Sequence, residues 1–118
     1  MAERRLRILI VEDEMLVALN IEDMLIELGH EVAGIASRLD PALDLARNGG
    51  FDAAMLDVNL AGDRSFPVAD LLAARDIPFL FATGYGLDGI DEKYRDRLIL
   101  QKPFRITELA AALDALEG

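Results

Sequence analysis

Five short apolar runs, each closed by a polar or small residue, constrain the fold of this chain more than any other feature. They are Leu6–Val11, Glu31–Ala36, Asp52–Leu56, Pro78–Ala82 and Leu98–Leu100. Each is mostly aliphatic and is bounded by Gly, Pro, Asp or Asn, the pattern of a strand. Continuous apolar stretches, as opposed to alternating ones, suit strands covered on both faces, which is the habit of parallel sheets. Helical periodicity fills most of the intervals. Between Met15 and Leu28, the residues Val17, Ile21, Met24, Leu25 and Leu28 fall on one face, and Gly29 supplies a left-handed stop. Asp40 and Pro41 read as the N-cap and first residue of a second helix, which Asn48-Gly49-Gly50 ends. A third helix is expected from Ser65 to Ala74. A last one is expected from Ile106 to Leu116, with Ile106, Leu109, Ala110 and Leu113 facing inward. The interval from Ala82 to Leu98 differs, since its three glycines and several charges leave little helical propensity. A loop with at most a short or frayed helix is expected there. Strands alternating with helices imply an α/β domain built on a parallel sheet.

Bulk properties narrow the class further. At 118 residues, 53% of them hydrophobic, the chain suits one domain with a real core. There are no cysteines, which excludes a disulfide framework, thiolate metal ligation and thiol catalysis. No long apolar segment follows the charged N-terminus, so neither a signal peptide nor a membrane span is expected, and a cytoplasmic location is the default. The formal charge of −10 disfavours phosphate backbones and anionic lipid, so no nucleic-acid or membrane partner is expected. The basic Arg4, Arg5 and Arg7 read as a solvated terminus.

The chemistry lies at the strand ends. In a parallel α/β sheet, ligands sit at the C-terminal ends of the strands. The first strand ends in Glu12-Asp13-Glu14, the third in Asp57 with Asn59 two residues on, the fourth in Thr83-Gly84 and the fifth in Gln101-Lys102-Pro103. Convergent carboxylates repel one another, and a hard divalent cation relieves that repulsion; Mg²⁺, or Mn²⁺ in its place, takes oxygen ligands and keeps waters in an open site. A carboxylate is also a nucleophile toward phosphorus, a reaction that needs charge neutralisation more than covalent help. The metal and Lys102 would neutralise charge, while the Thr83 hydroxyl and Gly84 amide could donate to phosphoryl oxygens.

These pieces together resemble the response-regulator receiver family over nearly the whole chain. The matching segments are Val11-Glu12-Asp13-Glu14, Met55-Leu56-Asp57-Val58-Asn59-Leu60, Ala82-Thr83-Gly84 and Gln101-Lys102-Pro103-Phe104. Each is weak alone; their order and spacing make the likeness strong. The resemblance implies a doubly wound five-stranded parallel sheet in the flavodoxin-like order 2-1-3-4-5, with residues 1–118 forming one receiver domain and no output domain. It implies Asp57 as phosphoacceptor, Glu12 and Asp13 in a metal pocket with Asp13 and Asp57 as direct ligands, and the Asn59 carbonyl as a third ligand. Thr83, Gly84 and Lys102 become the phosphate-binding set, and Lys102-Pro103 is expected to be cis. The expected partners are a sensor histidine kinase or histidine phosphotransfer protein and a downstream protein. The chain would then act by binding that protein or by draining phosphoryl groups from a phosphorelay.

The stretch Phe79-Leu80-Phe81-Ala82-Thr83-Gly84-Tyr85-Gly86 resembles the "FAT GUY" subgroup, which implies a weak or missing fourth helix and a bacterial stress or sensory relay. Where receivers often carry an aromatic switch residue, three positions before the lysine, this chain has Ile99. Tyr85 is the nearest substitute, as a switch and as a bulk that hinders attacking water. On the first helix, Met15, Leu19 and Ile26 fall opposite the core face and read as a partner-docking stripe beside the site. His30 reads as a solvated turn residue far from the acidic rim. Other functions fit less well. An aspartate-dependent phosphatase would need a second Asp where Asn59 stands. A flavin carrier would need a phosphate loop where Glu12-Asp13-Glu14 would repel one. A degenerate receiver would lack one of the five key residue types, all of which are present.

Overall fold

Every apolar run forms a strand. The computed structural model describes residues 5–84 and 89–117. The main sheet is built from Arg7–Val11 (β1), Glu31–Ala36 (β2), Ala53–Asp57 (β3), Phe79–Thr83 (β4) and Ile99–Gln101 (β5). All neighbours are parallel, and the order is β2-β1-β3-β4-β5, the flavodoxin-like arrangement. The helices are Met15–Glu27 (α1), Leu39–Asn48 (α2), Phe66–Ala74 (α3) and Ile106–Glu117 (α4). A separate antiparallel ribbon in the β3–α3 connection pairs Asn59–Leu60 with Asp63–Arg64. Among the described residues, no helix is long and apolar enough to cross a membrane.

Alternation along each strand divides the core into two layers. Ile8, Ile10, Met55 and Leu80 pack with α1 (Ala18, Ile21, Leu25) and α4 (Leu109, Leu113). Leu9, Val11, Leu56, Phe79 and Phe81 pack on the opposite face with α2 (Ala42, Ala46) and α3 (Val68, Ala69, Leu72). Because both faces are covered, no strand can alternate with polar residues, and the apolar-to-polar change at each strand end marks the rim of the sheet.

Several expectations shift. Asp40 is not the N-cap of α2, because Arg38 occupies that position and Asp40 lies inside the first turn. Pro41 tolerates this because first-turn amides have no intrahelical acceptor; the N–H of Ala42 is the one that reaches the Arg38 carbonyl, at 3.2 Å. The end of α2 is closed by a device not expected from the sequence, in which Arg75 donates to the carbonyls of Ala46, at 2.8 Å, and Arg47. On α4, Leu109 and Leu113 are buried, but Ala112 and Leu116 complete the inner face in place of Ile106 and Ala110. His30 is more than a solvated turn residue, since its Nδ1 accepts the Leu6 N–H at 3.1 Å and holds the entry of β1.

The β4–β5 connection lacks a regular α-helix among its described residues and carries a short 3₁₀ turn, Glu92–Tyr94. That turn is fastened by one residue. Tyr94 is 5% exposed, stacks on Phe66 at 6.0 Å between centroids, and meets Phe79 and Phe81 edge-on at 5.9 and 5.7 Å. Its hydroxyl donates to Asp70 of α3, which also pairs with Lys93 at 3.0 Å. This bond lowers the Asp70 carboxyl below its ordinary range, while burial and Asp70 push the phenol up. Tyr94→Phe should therefore cost about 1 kcal/mol, the usual worth of a hydrogen bond, and Tyr94→Ala about 3–5 kcal/mol, through the cavity it leaves. Urea unfolding midpoints measure both; equal midpoints for the Ala and Phe variants would refute the anchoring role.

Candidate functional site

The strand register assembles the site. Val11 pairs with Leu56, so the next residue of the first strand, Glu12, emerges beside Asp57 at the end of β3. Asp57 pairs across with Ala82, and Thr83 with Gln101, so Thr83 and Lys102 arrive at the same rim from β4 and β5. The Lys102 N–H donates to the Thr83 carbonyl at 2.8 Å, which ties the last two strand ends together. The Lys102-Pro103 bond is cis, as expected.

Glu12 is 1% exposed, and a buried carboxylate must be compensated. Its Oε1 accepts from Lys102 Nζ at 2.8 Å and its Oε2 from the Glu14 N–H at 3.2 Å. The same ammonium lies 3.4 Å from Asp57 Oδ2. Asp13 Oδ2 accepts the Ala61 N–H at 3.1 Å. Glu12, Asp13 and Asp57 each bring one carboxylate oxygen within 4.8 Å of the others. One ammonium thus bridges two of the three acidic groups, Glu12 and Asp57, and the electrostatics follow. Burial, then the charge of Glu12, pushes the Asp57 carboxyl up to about 7 against the pull of Lys102. Burial also opposes ionisation of Asp13, but the Ala61 N–H and the neighbouring carboxyls overcome it and leave Asp13 below the usual carboxylate range. Lys102 is disfavoured by burial yet raised overall, by Glu12 and Asp57.

An excess of negative charge with only oxygen donors fits a hard divalent cation. The cleft is open and has a volume of about 550 Å³, with Asp13, Asp57, Asn59 and Lys102 on its polar side and Val17 and Phe104 on its apolar side. Asp13, Asp57 and Asn59 would hold Mg²⁺ or Mn²⁺ there, with room for water.

The rest of the expected set is dispersed more widely. Gly84 lines the cleft, and a Cβ there would meet nothing within 4 Å among the described residues. Thr83 is fully buried and does not contribute to the described cleft wall. Tyr85 lies outside the described residues. Met15, Leu19 and Ile26 are all exposed on α1, and Leu16, which the face assignment passed over, is the most exposed of them at 83%. Helical periodicity could have included Leu16, since at 100° per residue it lies nearly opposite the buried Ala18, Ile21 and Leu25. Two hairpin residues beside the site, Ala61 and Arg64, carry no sequence signal of their own, and neither does Tyr94 further along, whose burial is hidden in a polar segment.

No family model matches the chain. Solved structures do. SdrG from Sphingomonas melonis is 49% identical, with a TM-score of 0.89 over 99% of this chain and 100% of that one. A second SdrG structure, from Pseudomonas melonis in its BeF₃-activated conformation, is 52% identical with a TM-score of 0.81, covering 93% and 94%. The response regulator PhyR from Brucella abortus is 31% identical, with a TM-score of 0.84 over 97% of this chain and 48% of that one. Among curated proteins, the transcriptional regulatory protein PdtaR of Mycobacterium tuberculosis is 31% identical over 112 residues, 92% of this chain and 55% of PdtaR. The chain therefore spans about half the length of the curated relatives it matches.

The raised Asp57 carboxyl has a measurable consequence for stability. Its folded pKa of about 7 lies above an unfolded value near ~4, so between those pH values the folded state holds a proton that the unfolded state releases. Stability without metal should fall as pH rises through that window and level off above it. Asp57→Asn removes the penalty, so in EDTA at pH 8 it should be more stable than wild type by about 1–3 kcal/mol, with the gap closing near pH 4. Urea titrations at the two pH values measure this; no gap at pH 8 would contradict the electrostatic account.

Proposed function

Because the chain belongs to the response-regulator receiver family, we propose that it accepts a phosphoryl group on Asp57 from a histidine kinase or histidine phosphotransfer protein, in a Mg²⁺-dependent reaction. The observation that carries this reading is the position of Asp57. It closes a central strand, opens onto the cleft, and has an ammonium at 3.4 Å and two more carboxylates around it. The likeness to SdrG, which takes a BeF₃-activated conformation, adds support.

The residues divide the work. One Asp57 oxygen attacks phosphorus in line; the new O–P bond forms as the N–P bond to the donor imidazole breaks, and its electron pair leaves on that nitrogen. Lys102, already between Glu12 and Asp57, is placed to meet the negative charge of the arriving phosphoryl oxygens. Gly84 on the cleft wall supplies an amide for those oxygens, and the buried Thr83 before it would add its hydroxyl by turning toward the cleft. Asp13 and Asp57, with the Asn59 carbonyl, would hold a divalent ion, which would supply positive charge against the transferring group. The buried Glu12 holds Lys102 in place. Water later hydrolyses the acyl phosphate and resets Asp57. The phosphorylated chain would bind a downstream protein or drain phosphoryl groups from the relay.

The exposed Met15, Leu16, Leu19 and Ile26 on α1 fit the surface that meets the donor. Apolar side chains in such numbers on one solvent face are costly unless covered, and α1 borders the cleft through Glu14, Val17, Asn20 and Ile21.

Incubation with acetyl phosphate and Mg²⁺, followed by intact-mass measurement, tests the acceptor. Wild type should gain one phosphoryl group and Asp57→Asn none; an adduct on both, or on neither, would sink the reading. The docking surface has its own test. Leu19→Ser with Ile26→Ser should slow transfer from the partner kinase about tenfold or more, as loss of interface anchors does, and leave acetyl phosphate labelling unchanged. Equal kinase rates for wild type and variant would exclude this face.

A further inference from the structure

The hairpin between β3 and α3 touches two places at once. Its two-residue tip, Ala61 and Gly62, has positive φ at both positions, 51° and 95°, as type I′ turns require. Gly62 adopts this conformation freely, but Ala61 does not, since its Cβ crowds the backbone in the left-handed region. The strained residue is also the one whose N–H is donated to Asp13 Oδ2, at 3.1 Å. A strained backbone persists where its surroundings hold it, and here the holding contact is a carboxylate of the acidic cluster.

The base of the hairpin has two attachments. Asn59 and Arg64 are direct cross-strand partners, whose side chains share a face of the ribbon. Asn59 lines the cleft. The longer Arg64 reaches past it, and its Nη1 donates to the Gly89 carbonyl at 2.8 Å. Gly89 is packed closely on this base, because a Cβ there would lie 3.7 Å from the Arg64 guanidinium and 3.8 Å from Val58. Gly89 begins the 89–97 stretch of the β4–β5 connection, which Tyr94 pins five residues later. The hairpin therefore contacts the acidic cluster through Ala61, shares its cleft through Asn59, and contacts the 89–97 segment through Arg64.

We propose that the Asn59–Arg64 hairpin transmits the state of the acidic cluster to the 89–97 segment, with Arg64 as the positioning residue at the far end. The proposal rests on the reading of Asp13, Asp57 and Asn59 as a cation site. A cation drawing on Asp13 competes with the Ala61 N–H for the same carboxylate and weakens the contact that holds the strained turn. Any change at Asn59 is passed to Arg64 by the ladder that pairs them, and from Arg64 to the Gly89 carbonyl. The buried Ile90 stays with the Gly89 end, and Tyr94 and the aromatic rings around it fix the other, so the exposed residues of the segment can reorient between the two fastenings without leaving the core.

Amide hydrogen exchange of residues 89–97, with and without Mg²⁺ alone, tests this in three proteins. In wild type, Mg²⁺ should change exchange in the segment about fivefold or more, the lower end of ordinary coupling. In Arg64→Ala that response should vanish, while Mg²⁺ affinity, read by titration calorimetry, stays within about twofold because Arg64 touches none of the carboxylates. Arg95→Ala is the control. Its Nε bonds the Ile90 carbonyl within the same segment, at 3.2 Å, so the variant should exchange faster throughout yet keep the Mg²⁺ response. A response surviving in Arg64→Ala, lost equally in Arg95→Ala, or missing from a wild type that binds Mg²⁺ overturns the proposal. A wild type that fails to bind Mg²⁺ overturns the cation-site reading and the proposal with it.

Discussion

The repulsion among Glu12, Asp13 and Asp57 is the constraint on which this molecule is built. Three carboxylates at the end of a buried sheet would oppose folding if left alone; Lys102 is the counter-charge that Glu12 and Asp57 share, and the Ala61 N–H meets Asp13. The contact of Lys102 with Glu12 is the shorter, so Asp57 receives only part of the compensation. The two apolar layers beneath must supply the stability that the rim takes away. Such a balance is common where a site needs charge to be available for chemistry, and stability is given up locally to keep it so.

Geometry turns that repulsion into a site with direction. The rim residues come from β1, β3, β4 and β5, and the sheet register sets their spacing more rigidly than loops could. The cleft adds an apolar wall, formed by Val17 on α1 and by Phe104 after the cis proline. A charged reaction centre with an apolar border admits a ligand or a partner's side chain from one side while excluding much of the water.

How much of this was legible in the sequence depended on the reach of the interaction. Strands and rim residues were legible because a buried strand must be apolar to its end, so the change to Glu12, Asp57 or Lys102 is abrupt. The start of α2 was misplaced because proline is tolerated anywhere in a first turn, so Asp40-Pro41 does not fix the boundary. Tyr94, Arg75 and His30 act over contacts 24 to 29 residues distant, which no local pattern encodes. Thr83 was found as a rim residue, but its full burial depends on how β4 sits between its neighbours. The receiver resemblance supplied what periodicity could not, including the strand order and the cis bond.

A helix laid along a sheet is attached along a line, and a line of contacts resists rotation in every direction but one. The 89–97 segment is fastened in two places, by the Gly89 carbonyl and the buried Ile90 at its start and by Tyr94 and Arg97 against Phe79 further on. Two such places define an axle. The least costly displacement is therefore a swivel about the line from Gly89 to Tyr94, which would turn Lys93 and Arg95 relative to α3 while the aromatic hub stays seated. The segment carries both signs of charge, Asp91, Glu92 and Asp96 against Lys93, Arg95 and Arg97, so a small angle would exchange which sign it presents to the anionic protein around it.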